Sequence, residues 1–157
     1  MTDLRVALIG YGLGGRTFHA PMLLAAPGMR VAYVVTANPE RAAQARQDIP
    51  DVIVVPDAAE LWRRSEIDLV VISTPNRTHV PLAMAAIDAQ VPVVVDKPLA
   101  ATSADGASVV AAARRCGVFL TVYQNRRYDG DFRTLQRLLA ENALGRVHRF
   151  ESRFERW

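Results

Sequence analysis

Leu4-Arg5-Val6-Ala7-Leu8-Ile9-Gly10-Tyr11-Gly12-Leu13-Gly14-Gly15 is the stretch whose reading decides the fold. Its first six residues are almost all apolar and run straight into a glycine, the pattern of a short strand buried on both faces. Gly10, Gly12 and Gly15 then satisfy the spacing G-x-G-x-x-G. Alone, that hexapeptide is a weak signal. Between an apolar strand and a helix, opening a strand–helix–strand unit, it is a strong one. Gly10 is expected to permit a tight turn, Gly12 to let the backbone approach a diphosphate, and Gly15 to let the helix pack close to the strand. Tyr11, Leu13 and Gly14 complete a loop whose bare amides, at the helix opening, would face the phosphates.

Outward from this loop, helices and strands alternate. A helical stretch is expected through about Ala26, with Pro21 marking a break or fresh start inside it. A strand follows over Val31–Val35, and Asn38-Pro39-Glu40 reads as a cap and first turn of a helix over 41–47. Val52–Val55 is the third strand, and Asp57 an N-cap for a helix to about Arg64. Leu69–Ser73 is the fourth strand, followed by a helix over Val80–Ala89, and Val91–Val95 is the fifth strand. Ser103 is expected to cap a long helix to Arg115, ended by Gly117. Val118–Tyr123 is the sixth strand, and Asp131–Glu141 forms a last amphipathic helix. Such alternation gives a parallel sheet with helices on both faces, a doubly wound Rossmann-type α/β fold.

The tail differs. Over 146–157 His148, Phe150, Ser152 and Phe154 alternate with Arg149, Glu151, Arg153 and Glu155. Period-two alternation suits a half-buried antiparallel strand. It reads either as the opening strand of a second domain or as an edge strand added to the first sheet. The expected organisation is a dinucleotide-binding domain over 1–124, a connecting segment and helix over 125–145, and from 146 to 157 the start of a substrate and oligomerisation domain.

At 157 residues, with half of them hydrophobic and 7% aromatic, the chain can bury one core made mainly of aliphatic side chains. Cys116 is the only cysteine, so no intrachain disulfide is possible, and it reads as a small apolar helix residue. No metal site is expected. No apolar run approaches the roughly 20 residues needed to span a bilayer, and the N-terminus lacks a signal-peptide pattern, so the expected location is the cytoplasm. The net charge is +3, but the arginine doublets at 63–64, 114–115 and 126–127 are separated by apolar segments. No basic run with interleaved aromatics points to nucleic acid, and a small anionic ligand suits the excess charge equally well.

Of the 19 basic residues 18 are arginine, and the single lysine is Lys97. Arginine stays protonated, whereas a lysine amine can take part in proton transfer. Asp96-Lys97-Pro98 follows the fifth strand, and Pro98 pushes Lys97 out of helical geometry, which would aim it at the crevice beyond the strand ends. The bland alternative is a surface ion pair between Asp96 and Lys97. Ser73-Thr74-Pro75-Asn76 closes the fourth strand, again over the crevice where such sheets bind ligands. Asn76 reads as a ligand contact or as a helix cap, and His79 as a cofactor contact or as an exposed helix-start residue. Gln124-Asn125-Arg126-Arg127 holds the matching place after the sixth strand. The second strand ends in Thr36-Ala37-Asn38 rather than in the acidic residue that would bind the ribose 2′-hydroxyl of NAD. Thr36, Asn38 and Arg41 offer donors for a 2′-phosphate, so NADP is favoured over NAD, although Arg41 also reads as a solvated helix residue.

Taken together, Gly10–Gly15 with Phe18-His19-Ala20-Pro21, Thr74-Pro75-Asn76 with His79, Asp96-Lys97-Pro98 and Tyr123–Asp129 resemble the Gfo/Idh/MocA oxidoreductases over essentially the whole chain. The pattern looks closest to the branch containing NADP-dependent scyllo-inositol dehydrogenases. The resemblance implies a Rossmann domain joined to a second α/β domain that supplies most substrate contacts and mediates homo-oligomer assembly. It implies a nicotinamide cofactor, a sugar or polyol substrate, Lys97 as the catalytic lysine and Asp96 near the nicotinamide ribose. The cofactor contacts it carries over are Gly10 to Gly15, Thr74, Pro75, Asn76, His79, Asp96, Lys97, Asn125 and Arg126. Asp96 stands where the family usually has glutamate, one methylene longer. The family's downstream catalytic aspartate and histidine belong to the second domain, beyond this sequence, so the chain alone is expected to be inactive. A non-catalytic dinucleotide sensor and an S-adenosylmethionine-binding domain are the rival readings. The first has no need of a lysine at the crevice, and the second usually has an acidic residue after its second strand.

Overall fold

The structure is a computed structural model that describes residues 3–64 and 66–155. Six parallel strands form one sheet in the order β3-β2-β1-β4-β5-β6. They are β1 (Leu4–Ile9), β2 (Met29–Val35), β3 (Ile53–Val55), β4 (Leu69–Ile72), β5 (Val93–Asp96) and β6 (Leu120–Tyr123). The order reverses between β1 and β4, which opens a crevice beyond their carboxyl ends, the usual ligand position in such sheets.

Because side chains alternate across a strand, each strand feeds two cores. Ala7 and Ile9 of β1, Val70 and Ile72 of β4, and Val93 and Val95 of β5 pack on one side. They meet Ala83, Ala86 and Ile87 of α3 (His79–Asp88) and Val109, Ala112 and Ala113 of α4 (Ser103–Cys116). Val6 and Leu8 of β1 and Val71 of β4 pack on the other side, with Ala20 of α1 (Ala20–Ala25) and Ala45 of α2 (Pro39–Asp48). This double burial is why the strands read as solid apolar runs.

Several expected boundaries shift for local reasons. The first helix passes through a π-helical stretch, Gly15–His19, before α1, where Pro21 occupies the first turn. The segment capped by Asp57 is a 3₁₀ helix, Ala58–Arg63, rather than an α-helix. Thr102, not Ser103, caps α4, its hydroxyl accepting from the Asp105 amide, and Gly117 ends the helix at φ 66°. Asn38 caps α2 as expected, its side chain accepting from the Arg41 amide at 2.9 Å.

Residues 124–157 form a second unit, described by itself. It contains a 3₁₀ turn, Asn125–Tyr128, and α5 (Gly130–Ala140). The strand expected over 146–157 is not formed among the described residues 146–155, either as an opening strand or as an edge of the sheet. Arg156 and Trp157 lie outside the described residues. Alternation makes a strand only where a neighbouring backbone completes the ladder. Among the described residues no helix is long and apolar enough to cross a membrane.

Candidate nucleotide-binding cleft

The glycine loop is shaped by what its residues lack. Gly10 has φ +98°, and a Cβ there would stand 2.3 Å from the Ser73 carbonyl oxygen. A Cβ on Gly15 would stand 2.0 Å from the carbonyl oxygen of Gly10, so the helix seats on the turn only because Gly15 has no side chain. On Gly14 it would meet Ser73 Oγ at 2.6 Å. Gly12 is different: its Cβ would find only the Arg41 guanidinium, at an ordinary 3.6 Å. Three glycines are therefore required by packing, whereas Gly12 leaves a free approach on the cleft side.

The cleft that results has a volume of about 590 Å³. From the first strand–helix loop it is lined by Gly10, Tyr11, Gly12, Leu13 and Gly14, and from the end of β2 by Thr36. Arg41 contributes from α2, Ser73, Thr74, Pro75 and Asn76 from the end of β4, and Asp96 and Lys97 from the end of β5, with His79 behind them. The sheet thus gathers most of the residues singled out from sequence. Gly15 lies beneath the cleft, buried against Gly10. Asn38 is spent on its cap and does not line the cleft. Asn125 and Arg126 belong to the second unit, where Arg126 pairs with Asp129 at 2.8 Å and lies over the Phe154 ring at 5.2 Å.

Two expectations are corrected by the structure. His79 is neither exposed nor a helix-surface residue, since only 1% of it is accessible. Its Nδ1 is 2.7 Å from the Pro98 carbonyl oxygen and its Nε2 2.8 Å from that of Thr74, so it ties the β4 loop to the β5 loop. A neutral imidazole carries one N–H and donates to one of these carbonyls at a time. Asn76 opens a 3₁₀ turn, Asn76–Thr78, and Thr78 takes the N-cap position of α3, so Asn76 is not its cap. Tyr11 offers the cleft little beyond its backbone, because its ring is buried and its hydroxyl donates to Asp48 Oδ2 at 3.0 Å. Burial, reinforced by that carboxylate, pushes the Tyr11 hydroxyl up to about 12. Arg16 and Gln44 also donate to Asp48, at 2.8 and 2.9 Å, and these donors hold its carboxyl below the usual range, Gln44 contributing most.

Lys97 is exposed, and its ammonium is in no ion pair among the described residues, so the surface pair with Asp96 does not form. The peptide bond from Lys97 to Pro98 is cis. Asp96 instead accepts the Lys97 backbone amide at 2.7 Å through Oδ1, while Oδ2 faces His19 Nε2 at 3.4 Å. His19 is 4% exposed and its ring packs on Tyr123 with centroids 4.4 Å apart. Burial lowers the affinity of His19 for a proton, against a smaller opposing pull from Asp96. Tyr123 donates to Met22 Sδ at 2.8 Å.

Sequence reasoning placed Ser73 over the crevice and quoted His19 within Phe18-His19-Ala20-Pro21 without giving either a role, and it missed Asp48. Ser73 was recognisable from its strand-end position. His19 and Asp48 lie on elements whose packing only the fold reveals.

A six-stranded doubly wound sheet with a glycine-loop cleft at its switch point defines a dinucleotide-binding Rossmann domain. The comparisons give the family: residues 4–124 match the model of GFO_IDH_MocA, an oxidoreductase family with an NAD-binding Rossmann fold, and the chain belongs to it. It is 46% identical to the uncharacterized oxidoreductase YdgJ of Escherichia coli (strain K12), covering 99% of this chain and 44% of that protein. It is 34% identical to scyllo-inositol 2-dehydrogenase (NADP(+)) IolW of Bacillus subtilis (strain 168), covering 98% and 42%. The crystal structure of GenD2, from gentamicin A biosynthesis and in complex with NAD, superimposes with a TM-score of 0.84 at 29% identity, covering 91% of this chain and 40% of that one. The chain thus spans less than half the length of these relatives.

Proposed function

We propose that this chain forms the cofactor-binding part of a cytoplasmic, homo-oligomeric dehydrogenase that acts on a CH–OH group of a sugar or polyol, with NADP preferred to NAD. One observation carries the reading: the glycine loop and Lys97 line the same cleft from the carboxyl ends of β1 and β5. The residues fit a nicotinamide nucleotide. Gly10 and Gly15 let the turn and the helix close on each other, Gly12 leaves the cleft side of the loop open, and the helix opening supplies amides without helical partners. Thr36 and Arg41 line the side where a 2′-phosphate would lie, with no carboxylate among the cleft residues there to repel it. IolW, by its name, uses NADP(+), which agrees with this preference.

When bound, the nicotinamide supplies or accepts the hydride at its C4. Lys97 Nζ would hydrogen-bond the reacting oxygen and help pass its proton, and Asp96 would hold the nicotinamide-side ribose. Substrate selection falls to residues outside this chain.

The reading is tested by thermal-shift titration of the chain with NADPH, NADH and S-adenosylmethionine. NADPH is expected to raise the melting temperature most, NADH less, and S-adenosylmethionine not at all. Stabilisation by S-adenosylmethionine alone, or by none of the three, would reject it.

A further inference from the structure

Among the described residues, His19 is the one buried histidine beside the cleft with a ring nitrogen that has no hydrogen-bond partner. Its Nε2 is sealed from solvent and 3.4 Å from Asp96 Oδ2, without the alignment of a hydrogen bond. Leaving such a nitrogen unpaired costs about 1–3 kcal/mol, so the fold is expected to use it. The ring cannot easily turn away, because Tyr123 packs on it and Tyr123 is itself anchored on Met22. Asp96 is similarly confined: Oδ1 is engaged by the Lys97 amide, and Oδ2 lies 3.5 Å from the point where a Cβ on Gly14 would stand. The carboxylate thus sits between the lysine backbone, the glycine loop and the histidine.

We propose that His19 is a positioning residue for Asp96: its Nε2–H aligns on Oδ2 when a nicotinamide nucleotide enters, fixing the carboxylate against the nicotinamide-side ribose. This rests on the nucleotide reading above and adds to it a residue on the helix after the glycine loop. Burial favours the neutral ring, which is the form that can present a single N–H at Nε2 to a carboxylate. The shorter Asp96 makes such a support useful, since a side chain with one fewer methylene cannot reach the ribose and choose its own orientation freely.

The test measures dissociation constants of the chain for NADPH and for ADP, which carries the adenosine and diphosphate without the second ribose. The variants are His19→Phe, which keeps the ring packing but removes the donor, and His19→Gln, which restores an N–H near the Nε2 position. His19→Phe is expected to weaken NADPH about tenfold, the weight of one hydrogen bond to a charged group, and to leave ADP unchanged. His19→Gln is expected to recover most of the NADPH affinity. Wild-type NADPH affinity in His19→Phe would overturn the proposal, as would equal weakening of ADP, which would make His19 a support of the loop alone. A folded His19→Gln that binds NADPH no better than His19→Phe would also overturn it. If the unaltered chain binds neither NADPH nor ADP, the nucleotide reading fails first, and it fails visibly in the wild type.

Discussion

His79 Nδ1 sits 2.7 Å from the carbonyl oxygen of Pro98, the residue that follows Lys97. Through its other nitrogen the same ring reaches the Thr74 carbonyl, so one buried imidazole fastens two strand ends of the cleft. His79→Phe keeps much of the volume but removes the N–H that one of these carbonyls accepts. It is expected to cost about 2 kcal/mol in urea unfolding and to weaken NADPH through the loosened Lys97–Pro98 turn. An unchanged unfolding midpoint would show that the contact carries no weight.

The glycines separate structure from binding. Gly15→Ala places a Cβ 2.0 Å from a backbone oxygen and is expected to destabilise the chain by about 3 kcal/mol. Gly12→Ala meets only a flexible guanidinium at 3.6 Å and should unfold like the wild type, yet lose nucleotide affinity because its methyl group occupies the approach of the diphosphate. Calorimetry paired with nucleotide titration on both variants checks this. Equal stability losses in the two would contradict it.

This division was legible in part. The motif spacing located the glycine loop, and solid apolar runs located the strands, because both signals are local. His79 was not legible as a buried clamp. It follows Asn76-Arg77-Thr78, a polar cluster that reads as surface, and only packing of α3 against the β5 loop buries it. The tail's alternation forms no strand among residues 146–155 for a related reason, since alternation is a property of one segment while a ladder needs two. Asn38 and Arg41 looked alike as donors beside a 2′-phosphate, but the cap of α2 occupies the first and leaves the second free to line the cleft.

Arg41 is therefore the residue expected to carry the proposed preference for NADP. Arg41→Ala is expected to weaken NADPH about tenfold while changing NADH little, since only NADPH has the 2′-phosphate. Parallel loss of both affinities would assign Arg41 to general attraction instead.

Stability should fall with acidification in two windows. His19 has its proton affinity lowered in the folded state, so the unfolded chain binds the extra proton first and stability is lost as pH falls below about 6.5. Asp48 and Asp68 are also held low, by Gln44 and Arg5 foremost, and their contribution is fully present above about pH 4 and lost below it. Unfolding free energy measured against pH should show both slopes, and His19→Gln should abolish the upper one. An upper slope that persists in that variant would place the titrating group elsewhere.

The central claim is that a dinucleotide lies along the glycine loop with Lys97 at the far side of the same cleft. Backbone amide shifts of the chain, followed by NMR during NADPH titration, test it most directly. Saturable shifts largest at Gly12, Leu13 and Gly14, with Lys97 also responding, are predicted. Shifts confined to other surfaces, or none at saturating NADPH, would contradict it.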